Sequence, residues 1–346
     1  MGASLRQIAR VVGYSSTTVS NVLQGRAMVK PETRERVLAA ARQLGYQPNP
    51  ALAHVMADIR SGRRPEFVAK LALVNGHRDR DAFLTHPTIP TYVMGCRKRA
   101  EELGYSFDTF WLHDRGLNAR SWLRILETRA IRGMIIIGLM DDSHLPEQFA
   151  EIWRKVPAVV TGVRTKDPTL PFAAVDHHQL ALAAFERAWA LGYRRPALVL
   201  DAVIDRLIDG RIHAGFMIGQ NQLAARDRIP AFTRIADARK EPEVFLRWLR
   251  RHQPDVLFSL YNEVFRWLQA ADLKVPDDIG VIQLEWRVSR PHIAGLDQNN
   301  DRVGEAALDM LVSLLRQNRG TLPAESWASL INPVWRPGLT VRAPAR

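Results

Sequence analysis

Four apolar residues near the start of the chain, Leu5, Ile8, Ala9 and Val12, recur with the period of one helix face. Ser4 is placed to cap that helix, and Gly13 to end it in the left-handed conformation. A second helix can begin at Ser15 or Ser16 and bury Val19, Val22 and Leu23. The stretch after Lys30 opens a third, with Pro31 in its first turn and Glu32 and Glu35 near the positive end of its dipole. Val37, Leu38, Ala41 and Leu44 give it an apolar face that closes a three-helix core, and Gly45 stops it. Two short helices joined by a tight, glycine-containing turn form a helix-turn-helix, whose second helix lies in the DNA major groove. The outward face of that helix carries Ser16, Thr17, Ser20 and Asn21. Asn pairs bidentately with adenine, whereas Ser and Thr discriminate little between bases. Taken alone, the pattern equally describes the polar face of a small helical hairpin.

Charge breaks that tie. The chain has 346 residues and a net charge of +12, and residues 1–64 hold ten basic and three acidic residues, a net +7. More than half of the excess thus sits where the helix-turn-helix lies, the footprint of a phosphate-binding module. Tyr46, Gln47, Pro48, Asn49 and Pro50 form an extended connection, 51–59 a short apolar helix, and 60–65 a basic linker.

Residues 5–62 resemble the headpiece and hinge of the lac-repressor (LacI/GalR) family of bacterial transcription regulators. The resemblance rests on the Ile8-Ala9 pair, the run from Thr18 to Leu23, the run from Val29 to Arg34, and the run from Leu44 to Asn49. It implies operator reading by Ser16, Thr17 and Asn21, supported by Leu5, Ser15, Thr18, Ser20, Arg26, Lys30 and Asn49. It also implies a hinge helix that wedges an apolar side chain into the minor groove. That position falls on Val55, with Met56 beside it, and either can be the wedge.

From Phe67 onward, strand and helix patterns alternate. Strands are expected at 68–74, 105–111, 134–137, 158–161, 173–175, 197–200, 232–234, 256–260 and 280–284. Helices are expected at 91–103, 119–129, 149–155, 178–191, 211–223, 242–251, 263–271 and 302–318. Such alternation means parallel sheets with right-handed crossovers, in two similar lobes. Residues 272–281 and 294–298 again resemble the family, whose effector domains have the periplasmic sugar-binding-protein fold and cross between lobes three times. The implied division is a headpiece (1–46), a hinge and linker (47–65) and a bilobal effector and dimerisation domain (66–340). Its first lobe would be about 66–162 with 295–322, and its second about 163–294 with 323–340.

A ligand of such a fold sits between the lobes at the carboxyl ends of the strands. The loops there supply Asn75, His77, Asp141, Asp176, Arg211, Asn262 and Glu285, with Trp286 the tryptophan placed nearest the cleft. By the resemblance, Asn262 and Glu285 stand where family members hold the effector. Arg211 stands four residues before Gly215-Phe216, out of step with the family's arginine. Each polar residue can instead cap a helix or form a turn. Most other tryptophans read as core or interface.

His177 and His178 lack the thiol or carboxylate spacing of a metal site and read as solvated or capping. No metal or other cofactor is expected. Cys96 alone makes no intramolecular disulfide and reads as a packed side chain. No signal-peptide pattern or membrane-length apolar run occurs, so a soluble, cytoplasmic, nucleoid-associated protein is expected. No nucleophile elbow, phosphate-binding loop, dinucleotide fingerprint or zinc-protease motif points to catalysis.

The expected function is therefore that of a non-enzymatic, sequence-specific repressor acting as a homodimer on a palindromic operator. A carbohydrate effector bound between the lobes would alter their angle, and through it the spacing of the paired hinges. The alternatives are a solute-binding protein of a transport system, which would lack the basic headpiece, and an enzyme on a doubly wound scaffold.

Overall fold

The computed structural model describes residues 5–15, 18–19, 22, 30–44, 67–114, 116, 118–317 and 325–343. They fall into two compact units, Met1–Arg64 and Pro65–Arg346. In the first, α1 (Leu5–Val12) and α2 (Pro31–Gln43) pack through Ile8, Ala9, Val12, Val37, Ala40 and Ala41. Val19 and Val22, both helical, complete this core. Gly13 has φ +74, and its N–H returns to the Ala9 carbonyl, which ends α1 as its glycine predicts. Ser15 caps the second helix, its Oγ accepting from Thr18 N at 3.1 Å. Leu44 is 38% exposed, and Ala40 takes the core position expected of it. The α2 face ends one turn earlier than the sequence pattern runs.

The second unit is built on two sheets. Five strands, β1 (Ala69–Asn75), β2 (Tyr105–Trp111), β3 (Ile131–Ile137), β4 (Ala158–Thr161) and β5 (Phe172–Val175), join β10 (Ala328–Ile331) in the order β10-β5-β4-β3-β1-β2. All of these pairings are parallel, with Asn75 opposite Trp111 on one side and Ile137 on the other. The second sheet orders β11 (Val334–Arg336), β9 (Gly295–Asp297), β8 (Gly280–Gln283), β7 (Val256–Ser259) and β6 (Pro196–Val199). It is parallel except for the β11–β9 pair.

The expected strands from β1 to β8 form, except that 232–234 makes only a single bridge, Phe232 to Val199. The chain crosses between the two sheets three times, leaving the first after Val175, returning after Asp297 and leaving again after Ile331, where the expected bounds stood at about 162, 295 and 322. Strand β5 thus belongs to the first lobe and β9 to the second. Membership follows hydrogen-bond partners (β5 pairs with β4 and β10), and no local pattern encodes those.

Two helices cover the first sheet's outer face, α3 (Ile89–Leu103) and α4 (Asn300–Gln317). They approach unusually closely. A Cβ at Gly95 would overlap the Asp301 carbonyl, and one at Gly304 the Tyr92 carbonyl. Cys96 is packed in this seam, its thiol against the Gly304 carbonyl, and burial pushes its pKa up to about 12. No described helix is long and apolar enough to cross a membrane. Substituting Gly304→Ala forces these backbones apart. The expected cost is about 1–3 kcal/mol, read as a fall of several degrees in the effector unit's Tm by calorimetry, with the headpiece transition unmoved.

Candidate functional site

The carboxyl ends of the strands in both sheets converge on one cavity of ≈ 610 Å³, within the range of about 300–1,000 Å³ usual for small-molecule sites. From the first lobe come His86, Thr88 and Tyr92, the turn after β3 (Gly138–Met140) and the end of β4 (Thr161–Val163). From the second come Ile204, Leu207, Ile208 and Ile212, the turn after β7 (Leu260–Glu263) and the segment after β8 (Glu285, Arg287, Ser289, Arg290). His177 and Gln298 line it where the chain crosses between lobes. The walls are aliphatic and the polar groups few and directed, the usual make-up of such a site. A larger groove of ≈ 800 Å³ beside Trp111 and His113 is lined by the first lobe only.

Glu285 ties the lobes together. Its Oε1 accepts from the Thr88 hydroxyl at 2.7 Å and its Oε2 from Arg287 Nη2 at 2.8 Å. Arg287 reaches back across the cleft to the Pro87 carbonyl and the Thr88 hydroxyl. A ligand hydroxyl bonding Glu285 would exchange with Thr88 for the same carboxylate. Asn262 lines the cavity at the start of its helix, and its side chain makes no cap bond there. Tyr261 lies beneath Arg239, itself paired with Glu263 at 2.9 Å. The Tyr261 hydroxyl accepts from Asp201 N, and burial raises its pKa.

Of the eight residues expected here, Asn262 and Glu285 line the cavity and the other six do not. Asn75 is 2% exposed and shapes its own loop, donating to the Asp79 and Arg80 carbonyls and accepting from His77 N. His77 accepts from Asp79 N and packs on His86, which takes its place in the cleft. Asp141 pairs with Arg78 on the surface. Asp176 caps a helix, accepting from Gln179 N. Trp286 lies under Arg336 with its indole nitrogen buried. Arg211 opens the helix Arg211–Gln220 between the lining residues Ile208 and Ile212, its Nε donating to the Ile208 carbonyl.

Sequence reasoning missed Thr88, Tyr92, Thr161, Tyr261 and Arg287. Thr161, Tyr261 and Arg287 lie within two residues of a strand end or of Glu285, whereas Thr88 and Tyr92 open the helix Ile89–Leu103, far from any strand in sequence. His177, expected to be solvated or capping, is instead 8% exposed and faces the cavity. Among the described residues, no group of acidic, His or Cys side chains could hold a metal ion.

In the headpiece, the Ser15 and Thr18 hydroxyls bond each other at 2.8 Å, and Lys30 is exposed just before α2. Ser16, Thr17, Ser20, Asn21, Arg26, Asn49, Val55, Met56 and the Leu5 side chain lie outside the described residues.

A family model described as "Bacterial regulatory proteins, lacI family" matches residues 4–49, and one described as "Periplasmic binding protein-like domain" matches 185–336. The chain thus carries a lacI-family domain at 4–49 and a periplasmic binding protein-like domain at 185–336. Solved structures share the fold of the described residues. A transcriptional regulator CelR–cellobiose complex superposes with a TM-score of 0.59 at 18% identity, covering 98% of this chain and 99% of that one. The lac repressor dimer bound to operator and the anti-inducer ONPF gives 0.58 at 21%, covering 99% and 100%. Among curated relatives, the HTH-type transcriptional regulator MalR of Streptococcus pneumoniae is 24% identical over 58% of this chain. The match spans 57% of MalR's own length.

Burial, the neighbouring His77 and the Arg287 charge lower the His86 pKa to about 4. Burial and Arg211 lower that of His177 to about 3. Unfolded, both histidines protonate near 6.5, so below that pH the unfolded chain binds more protons and stability falls with pH. Tm is therefore expected to drop progressively between pH 6.5 and 4. His86→Asn, which keeps an acceptor for the Thr88 and Ile89 amides, is expected to flatten that slope. An unchanged slope in calorimetric scans counts against His86 as a source.

Proposed function

We propose that this lacI-family chain is a sequence-specific transcriptional repressor, not an enzyme, acting in the bacterial cytoplasm as a homodimer on a palindromic operator. Its operator affinity is set by a carbohydrate effector in the interlobe cleft. The observation that carries this reading is the joining in one polypeptide of a lacI-type headpiece at 4–49 to a two-lobed, cleft-bearing body. A solute carrier has no use for the first, and an enzyme of this architecture has no use for either in combination.

The headpiece presents an exposed Lys30 and a capped second helix. Ser16, Thr17 and Asn21 are the readers, with Arg26 and Asn49 on phosphates and Val55 or Met56 in the minor groove. One headpiece is too small for operator affinity, and two on a twofold axis match two half-sites. Solved neighbours include a regulator holding cellobiose and a repressor dimer on its operator, which supports both the ligand class and the assembly. In the cleft, Asn262 and Glu285 receive vicinal hydroxyls, and Tyr261 offers an aromatic neighbour. A ligand that exchanges with Thr88 for Glu285 changes how the lobes are tied. The coupling needed for regulation is only a few kcal/mol.

Gel shifts on genomic fragments test the DNA half. Asn21→Ala is expected to lose about 1–3 kcal/mol of operator affinity through its adenine contact, while binding to random DNA stays the same. Full affinity and sequence preference in the Thr17→Ala, Asn21→Ala double variant would remove the assigned readers. A thermal-shift screen of sugars tests the cleft. A ligand in excess over its Kd raises Tm, and Asn262→Ala or Glu285→Ala should abolish that rise.

A further inference from the structure

Where two helices of the second lobe begin, the cleft holds polar atoms with nothing to bond. Helix His177–Ala190 and helix Arg211–Gln220 pack side by side, with Gly215 against the His178 carbonyl and Gly219 against the Phe185 ring. Residue numbers rise together along the seam, so the helices are parallel. Their amino ends, the positive ends of both dipoles, meet beside the cavity.

Three side-chain atoms there are buried without a hydrogen-bond partner among the described residues: His177 Nδ1 and Thr161 Oγ1 in the cleft wall, and Arg211 Nη2 just behind it. Thr161 is 3% exposed, and both it and His177 line the cleft. Arg211 lies over the Phe172 ring, with Ile208 and Ile212 on either side in sequence lining the cavity. Burial lowers its pKa, the sign of a cation held away from water without full compensation.

The nearby Asp209 and Asp176 offset part of the Arg211 charge, but neither bonds its Nη2. Asp176 is occupied in capping, and Asp209 faces Arg164 at 3.8 Å. Glu285 is taken by Thr88 and Arg287. What remains is one guanidinium, one hydroxyl and one neutral imidazole, at the convergence of two helix amino ends. A sugar hydroxyl would satisfy the hydrogen bonds but do nothing for a half-buried guanidinium that Asp209 and Asp176 offset only in part. An oxyanion satisfies both.

We propose that the effector is an acidic sugar derivative whose carboxylate or phosphate enters this end of the cleft and accepts hydrogen bonds from Arg211, Thr161 and His177. This rests on the reading of the cleft as the effector site and narrows its ligand class. Asn262 and Glu285 then hold the hydroxyls at the other end.

Calorimetric titration of the full-length protein with matched pairs tests it. The probes are D-glucuronate against D-glucose, D-galacturonate against D-galactose, D-gluconate against D-glucitol, and D-glucose 6-phosphate against D-glucose. At least one acid is expected to bind about tenfold or more tightly than its neutral partner. Arg211→Gln should erase that ratio, and Arg211→Lys, which keeps the charge, should retain part of it. Thr161→Val, nearly isosteric, should weaken the acid without unfolding the protein. The last pair tells phosphate from carboxylate. Equal or tighter binding of the neutral sugar in every pair, a preference that survives Arg211→Gln, or no binding by any probe overturns the proposal. A neutral sugar whose binding is lost in Asn262→Ala would leave the cleft standing while this proposal falls. Acid binding untouched by both Asn262→Ala and Arg211→Gln would remove the cleft itself as the effector site.

Discussion

Parallel strand pairing is the constraint from which the effector unit's organisation follows. A parallel strand can be reached only by a crossover long enough to run back over the sheet, usually a helix. Both sheet faces are then covered, and every strand's carboxyl end opens into a loop at the same edge. Two such sheets share one chain here, exchanging it at 176, 298 and 332, and their loop-bearing edges face each other. The cleft is the space those edges leave. Its lining comes from helices that start or run beside it and from the segments that follow the strands.

Within that space, opposite charges have been used up on structure. Glu285 is bound to Arg287 and Thr88, and Glu263 to Arg239. The first of these arrangements joins one lobe to the other, so a ligand that competes for Glu285 acts on the lobe–lobe contact as well as on its own site. On the proposed reading this is how the cleft acts on the body, since a ligand shifts an equilibrium only through differential contacts with its states. The histidines differ in kind. His86 accepts from the Thr88 and Ile89 amides, while His177 meets no protein group with its Nδ1.

The residue patterns carried much of this. Helix periodicity placed α1, the third headpiece helix and the long α4, and apolar runs located β2 and β4 to the residue. Asn262 and Glu285 were reached through their positions after strands together with the family resemblance. Asn75, Asp141 and Asp176 fit the same positional rule, yet they serve a loop, a surface ion pair and a helix cap. A polar residue after a strand has several equally good local uses. Which one it takes depends on where the next segment packs.

What the linear chain determined was local: the capped, glycine-ended helices of a basic headpiece, the alternation that demands parallel sheets, and a composition free of catalytic or metal motifs. These follow from backbone propensity and hydrophobic period, which act over a few residues. The sheet that claims β5 or β9, the helix pair that needs Gly95 and Gly304, and the burial of His177, Thr161 and the Arg211 Nη2 atom were decided only by the tertiary structure. Each depends on partners far away in sequence. Hydrogen-bond pairing and desolvation are properties of neighbours in space, and one residue's identity does not carry them.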